Sequence, residues 1–270
     1  GELLDQYGQI IIDECHHLSA FSFEAILKQA KAKFVVGLTA TPIRRDGHQP
    51  IIFMQCGPIR HSASRPETAA VQLEVWAKVL PAPEIPSDSP IQDVFRILAN
   101  DATRNRLIAG DVLDAYREGR KVLVLTERTD HLPLLQEALG DEVEQCLVLH
   151  GRLSKKQRIA VFAQLQALDE SAPRVLLATG RLIGEGFDHP PLDTLVLAMP
   201  ISWKGTLQQY AGRLHREHTD KQDVRIYDYA ETDQPQLARM WDKRQRGYRA
   251  MGYEIKPMET VISGCGSDIK

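Results

Sequence analysis

Asp13 and Glu14 stand side by side directly after the apolar run Ile10-Ile11-Ile12. Two adjacent carboxylates at the end of a buried strand are equipped for metal and water chemistry. Neighbouring residues on an extended chain point to opposite sides, so the two acids can divide the work. One can hold Mg²⁺, usually through water, while the other orients or deprotonates an attacking water. Near the other end, Arg213 and Arg216 are three apart in a predicted helix, which turns both guanidinium groups to one side. A third group of reactive types lies in the stretch LHGRLSKKQR, Leu149 to Arg158. Ser154 followed by Gln157 is a capping-box pattern and predicts a helix start. The amides of that start, together with Gly151, Arg152, Lys155, Lys156 and Arg158, can grip phosphates.

Other reactive types carry less. Cys15, Cys56, Cys146 and Cys265 lie far apart, with no paired spacing for zinc or redox work. A reducing, cytoplasmic setting is the expectation, with Cys15 a small buried residue. His17, His131, His189, His215 and His218 form no metal spacing and read as structural or exposed.

The elements that must position these residues follow from the apolar pattern. With 270 residues, 43% hydrophobic and 26% charged, the chain has the composition of a globular protein with a soft prior of two domains. It has no run of about 18 apolar residues, so no segment reads as membrane-spanning. The start GELLDQYGQ lacks the basic-then-apolar pattern of a signal peptide. A formal net charge of -3 neither announces nor excludes a nucleic-acid partner, because a basic groove can sit on a near-neutral chain. QIIID, KFVVGLTA, KVLVLT, CLVLH, RVLLAT, TLVLAM and VRIYDYA read as strands. Between and after them, SFEAILKQAKA, Asp101 to Arg117, TDHLPLLQEAL, SKKQRIAVFAQLQAL, KGTLQQYAGRLHRE and QPQLARMWDKRQRGYRAMG read as helices, with Pro133 in a first turn. This alternation predicts an α/β fold, a mostly parallel sheet with helices on both faces. Pro81, Pro83, Pro86 and Pro90 mark 79–90 as a linker. It divides 1–78, the end of one α/β domain, from 91–252, a whole one, with 253–270 a loose tail.

DECH at Asp13 to His16, GLTATP at Gly37 to Pro42, ATGRLIGEGFD at Ala178 to Asp188 and QYAGRLHR at Gln209 to Arg216 follow one another in this order. The set resembles superfamily 2 helicases of the DEAD/DEAH-box class, over nearly the whole chain, and GLTATPIRRDG with CGPIRH is most similar to XPB-type and restriction-type DNA helicases. The resemblance implies two RecA-like lobes, the first represented by 1–78 and the second by 91–252, with ATP and Mg²⁺ between them. It makes Arg213 and Arg216 arginine fingers, with Gln209 in register. It gives Gly184, Gly186 and Asp188 a nucleotide or interlobe role. Thr39 and Thr41, with His16 as a relay, would couple hydrolysis to lobe movement. Thr126, Arg128 and Thr179 would touch a nucleic-acid strand, DNA rather than RNA. The family's phosphate cradle, G-x-x-x-x-G-K-[ST], should precede the acidic pair, and the chain contains no Gly-Lys dipeptide. The expectation is therefore a motor piece that needs an upstream P-loop segment or partner subunit. A non-catalytic binding module and an RNA helicase of the same fold are the alternatives.

Overall fold

Strands buried on both faces need near-continuous apolar runs, and the interiors of KVLVLT, RVLLAT and TLVL supply them. The computed structural model describes residues 6–13, 15, 21–39, 49–62, 72–86, 88–180, 189–201, 204–214, 221 and 223–260. Two compact units result, Gly1–Ala69 and Ala70–Lys270.

In the first unit, β1 (Gln9–Ile12) pairs in parallel with β2 (Phe34–Gly37), Ile12 standing opposite Gly37. Helix α1 (Phe21–Gln29) connects them and α2 (Gln49–Cys56) follows. Cys15 and Ile52 are buried here, with Ile12, Leu27 and Cys56 packed around them. Gly37 has no side chain for a concrete reason. A Cβ there would come within 2.9 Å of both the Cys15 and the Cys56 sulfurs, so the strand exit and α2 close up only over a glycine.

The second unit is built on an eight-stranded, all-parallel sheet. Its members are β3 (Gln72–Val79), β4 (Lys121–Thr126), β5 (Cys146–Leu149), β6 (Arg174–Thr179), β7 (Thr194–Leu197), β8 (Asp223–Ala230), β9 (Glu254–Ile255) and β10 (Glu259–Thr260). The order is β10-β3-β8-β7-β4-β6-β5, with β9 also on β3. Alternate residues fill opposite layers. Leu123, Leu125, Leu176, Leu195 and Leu197 face one core together with Leu165, Leu207, Tyr210, Leu214 and Trp241. Those last five ride on α6 (Lys155–Ala167), α7 (Lys204–Leu214) and α8 (Pro235–Ala250). Val122, Val124, Val175, Leu177 and Val196 face the other core, under α4 (Ala102–Arg117) and α5 (His131–Leu139). Each such side chain contributes roughly 1.5–3 kcal/mol by leaving water. A smaller cluster joins α3 (Ile91–Asn100) to α8 through Val94, Leu98, Leu237 and Met240.

The sheet with helices on both faces is as the pattern predicted, but two boundaries differ. All eight residues of β3 pair with β8, which puts 72–79 in the second unit rather than the first. The proline-rich 79–90 stretch is strapped down instead of bridging. The Leu80 amide donates to the Ala230 carbonyl, the Ala82 amide to the Asp233 carboxylate, and Gln236 Nε2 to the Ser89 carbonyl. Proline removes ladder donors without preventing a segment from packing. At the other end, β9 and β10 extend the sheet along β3, and Lys256 binds Glu74 and Glu254 at 3.0 and 3.1 Å. The expected loose tail is thus edge strand as far as Thr260.

Candidate nucleic-acid interface and nucleotide-site residues

In an open parallel sheet, ligands gather beyond the carboxyl ends of the strands. Most described site residues lie at such ends. In the first unit, Asp13 follows β1 and is exposed, and Thr39 stands two residues past β2, half-buried. The parallel register brings both to one edge, tied by the Leu38 amide donating to Ile12 O at 2.8 Å and the Cys15 amide to Leu38 O at 2.9 Å. Glu14, His16 and Thr41 lie outside the described residues, as do Gly184, Gly186, Asp188 and Arg216. Gln209 is half-buried on α7; Arg213 lies on the same helix, with its side chain outside the description. No group of three metal-ligating side chains occurs among the described residues. One exposed carboxylate at a strand end still suits Mg²⁺, which uses one or two carboxylates plus phosphate oxygens and water.

In the second unit, β5, β6 and β4 lie side by side, and their exits carry the remaining candidates. Thr126 pairs with Thr179, and Leu149, just before His150, pairs with Ala178. Gly151, Arg152, Lys155 and Lys156 are exposed, and Arg158 is half-buried with its Nε lacking a hydrogen-bond partner. Neither Arg152, Lys155 nor Lys156 is held in an ion pair among the described residues, so their charge is available to an incoming anion. The helix start beneath them is rigid. Gln157 N donates to Ser154 Oγ at 3.3 Å, and Ser154 N donates to Gln157 Oε1 at 2.9 Å, the complete capping box. The Arg152 amide donates to His150 Nδ1 at 3.2 Å. Burial, then the Arg152 charge, lowers the His150 pKa.

Thr126 and Arg128 differ in access. Thr126 is 1% exposed, and its hydroxyl is committed to neighbours rather than turned outward. Asn105 Nδ2 donates to the Ala99 carbonyl at 2.8 Å, which leaves Asn105 Oδ1 as acceptor for His131 Nε2–H at 2.9 Å. His131 Nδ1 then accepts from the Thr126 hydroxyl at 2.9 Å, and Thr126 Oγ1 accepts from the Arg128 amide at 3.2 Å. Burial, with Arg104 next, depresses the His131 pKa to about 3. This run of bonds fixes the turn that presents Arg128 and keeps the Thr126 hydroxyl turned inward. The Arg128 guanidinium is itself oriented by Asp130, with Nε at 2.9 Å from Oδ1 and Nη2 at 2.5 Å from Oδ2, which leaves three N–H groups for another acceptor. Thr179 is 8% exposed.

Sequence reasoning missed the groups behind this edge. Asn105, Glu127 and Tyr210 are packed partners whose contacts span 26 and 83 residues, and no local spacing marks them; His131, expected to be structural or exposed, is buried and structural.

Comparison with known proteins agrees with this architecture. The family described as type III restriction enzyme, res subunit, matches residues 2–44, and the helicase conserved C-terminal domain matches residues 105–218. A protein of Acanthamoeba polyphaga mimivirus, provisionally named an ATP-dependent RNA helicase, is 23% identical over 264 residues, 94% of this chain and 49% of its own length. A provisionally named helicase of Escherichia phage T5 is 25% identical over 226 residues, 82% of this chain and 48% of its own. The chain spans about half the length of the curated relatives it matches. A fragment provisionally assigned as the HsdR subunit of a type I restriction enzyme from Vibrio vulnificus superposes with a TM-score of 0.65 at 22% identity, over 96% of this chain and 49% of that one. Dbp5 of S. cerevisiae, bound to RNA and ADP BeF3, gives 0.58 at 13%, over 94% of this chain and 59% of that one. Both share the fold of RecA-like lobes with this chain. The acidic strand end and the parallel-sheet unit are thus matched, in order, by a restriction-enzyme family and a helicase family, which supports the resemblance to superfamily 2 helicases.

Proposed function

We propose that the chain supplies the second motor lobe, and the end of the first, of a nucleic-acid-dependent ATPase that moves along or unwinds DNA. The observation that supports this reading is the edge formed by the neighbouring exits of β4, β5 and β6, which carry Arg128, then the turn and helix start with Arg152, Lys155, Lys156 and Arg158, and Thr179. Cations at the exits of β4 and β5, which flank β6 at about 5 Å per strand, suit a phosphate backbone better than a small anion. Backbone contact of this kind is indifferent to sequence and sensitive to salt. DNA is favoured because the match over residues 2–44 is to a restriction-enzyme subunit.

In this reading Asp13 holds Mg²⁺ and Glu14 orients water. Arg213 and Arg216, with Gln209, neutralise developing phosphate charge, while Gly184, Gly186 and Asp188 line the nucleotide. Thr39, Thr41 and His16 link hydrolysis to movement. Bound Mg²⁺·ATP would supply the phosphoryl-transfer chemistry, and the chain's residues position it. No Gly-Lys dipeptide is present to cradle the phosphates, so the chain alone should turn over ATP negligibly, with activity appearing when a P-loop segment is supplied.

The test is fluorescence anisotropy with a labelled single strand of about 20 nucleotides, long enough for a groove that tracks the backbone. Affinity should fall steeply with salt, and replacing Arg152, Lys155 and Lys156 together by alanine should reduce the log–log salt slope by about 2. A parallel RNA strand decides between nucleic acids. An unchanged slope in the triple variant would remove this edge from the interface.

A further inference from the structure

Tyr210 sits on α7, one residue after Gln209 and three before Arg213. It is 4% exposed and packed in the core with Leu207, Ala211 and Leu214. Phenylalanine would fill the same volume. The hydroxyl, however, donates to Glu127 Oε1 at 3.1 Å, on the residue between Thr126 and Arg128. Burial, then the neighbouring Glu127 charge, pushes the phenol far above its usual range, so it stays a donor throughout the physiological range. Glu127 reaches solvent, yet protein crowds its carboxyl enough to raise its pKa, with the Tyr210 hydroxyl acting in the opposite direction.

A third segment closes on the same point. A Cβ placed on Gly180 would overlap the Tyr210 hydroxyl and lie 2.8 Å from Glu127 Oε1. The tyrosine is therefore seated against the backbone of the residue that follows Thr179. One hydroxyl thereby touches the exits of β4 and β6 and belongs to α7.

We propose that Tyr210, bonded to Glu127 and seated on Gly180, is the positioning residue that carries nucleic-acid contact at Arg128 and Thr179 into α7, the helix of Gln209 and Arg213. This rests on the interface assigned above. The physical reason is confinement. Glu127 moves with Arg128, its neighbour in one turn, and a bond from a phenol to a carboxylate is a charge-assisted one. Gly180 blocks the tyrosine from absorbing a displacement by swinging away, so the displacement passes to the helix. Packed groups with a few discrete arrangements transmit such shifts instead of damping them.

Hydrogen exchange on the whole chain, with and without a single strand of about 20 nucleotides, tests this. In the wild type, binding should slow exchange at 126–130 and 150–158 and also change it severalfold in α7. Tyr210→Phe keeps the packing and Glu127→Gln keeps the shape. Both should still bind and protect 150–158 while losing the α7 response, and if one variant folds poorly the other suffices. A purely structural bond would lower melting temperature in the variants without removing the response. The proposal is overturned if α7 is indifferent to the strand in the wild type, or if both variants keep its response. Absence of protection at both 126–130 and 150–158 overturns the interface itself, and the proposal with it.

Discussion

The proton on His131 is placed by Asn105, whose amide nitrogen is already spent on Ala99. A histidine so buried, with Arg104 raising the cost of a second positive charge, stays neutral down to about pH 3. Unfolded, it would titrate near 6.5, so between those values the unfolded chain binds more protons and falling pH favours unfolding. By pH 5 the loss relative to pH 7 should be about 2 kcal/mol from this residue. His131→Gln should start less stable at pH 7, because Thr126 and Asn105 lose partners, yet fall less between pH 7 and pH 5. Urea midpoints of both proteins at the two pH values measure this, and equal falls would mean that His131 takes up its proton in both states alike. Some of this residue-level chemistry was legible beforehand and some was not. Arg152, Lys155, Lys156 and Arg158 announce themselves because four cations and a capping box share ten residues. Tyr210 and Glu127 are 83 apart in sequence and meet only when β4 and α7 are packed.

Among the elements, the strands read most directly, because a strand buried on both faces is an unbroken apolar run, as in β4, β6 and β7. Helices α2 and α3 and strands β3, β9 and β10 escaped. β3 alternates Gln72, Glu74 and Lys78 with its buried Leu73, Val75 and Ala77, because only one of its two faces is fully covered. α3 begins directly behind Pro90, and the prolines before it suggested a linker where the chain in fact packs on α8. The capping box of α6 is the opposite case, predicted from two residues and present in both its bonds. Ser154→Ala should destabilise the chain by about 1 kcal/mol, since one amide of the first turn loses its acceptor. It removes no cation, so the salt slope of strand binding should not change even if affinity drops. A smaller slope in this variant would mean that the cap, and not only the side-chain charge, governs how many phosphates are held; calorimetry and anisotropy on the same sample read the two effects.

On the scale of the whole molecule, the two units differ in what holds them. The second has apolar layers on both faces of eight strands. The first, among its described residues, buries Cys15 and Ile52, and its parallel pair keeps Ile11 and Phe34 exposed at 62% and 57%. An isolated two-stranded arrangement is marginal in water, and a few buried side chains at roughly 1.5–3 kcal/mol each must offset the ordering of every backbone residue at about 1–2 kcal/mol. The units should therefore open separately, the first at much lower cost. Native-state hydrogen exchange distinguishes them directly. Amides of Ile10, Ile12 and Val36 should exchange at least about a thousandfold faster than those of Val122 to Leu125 or Val175 to Ala178, and added denaturant should not merge the two groups until the second unit melts. Equal protection in the two sets would mean that β1 and β2 share the cooperative core of the larger sheet, and Asp13 and Thr39 would then be held as firmly as the edge that carries Arg128.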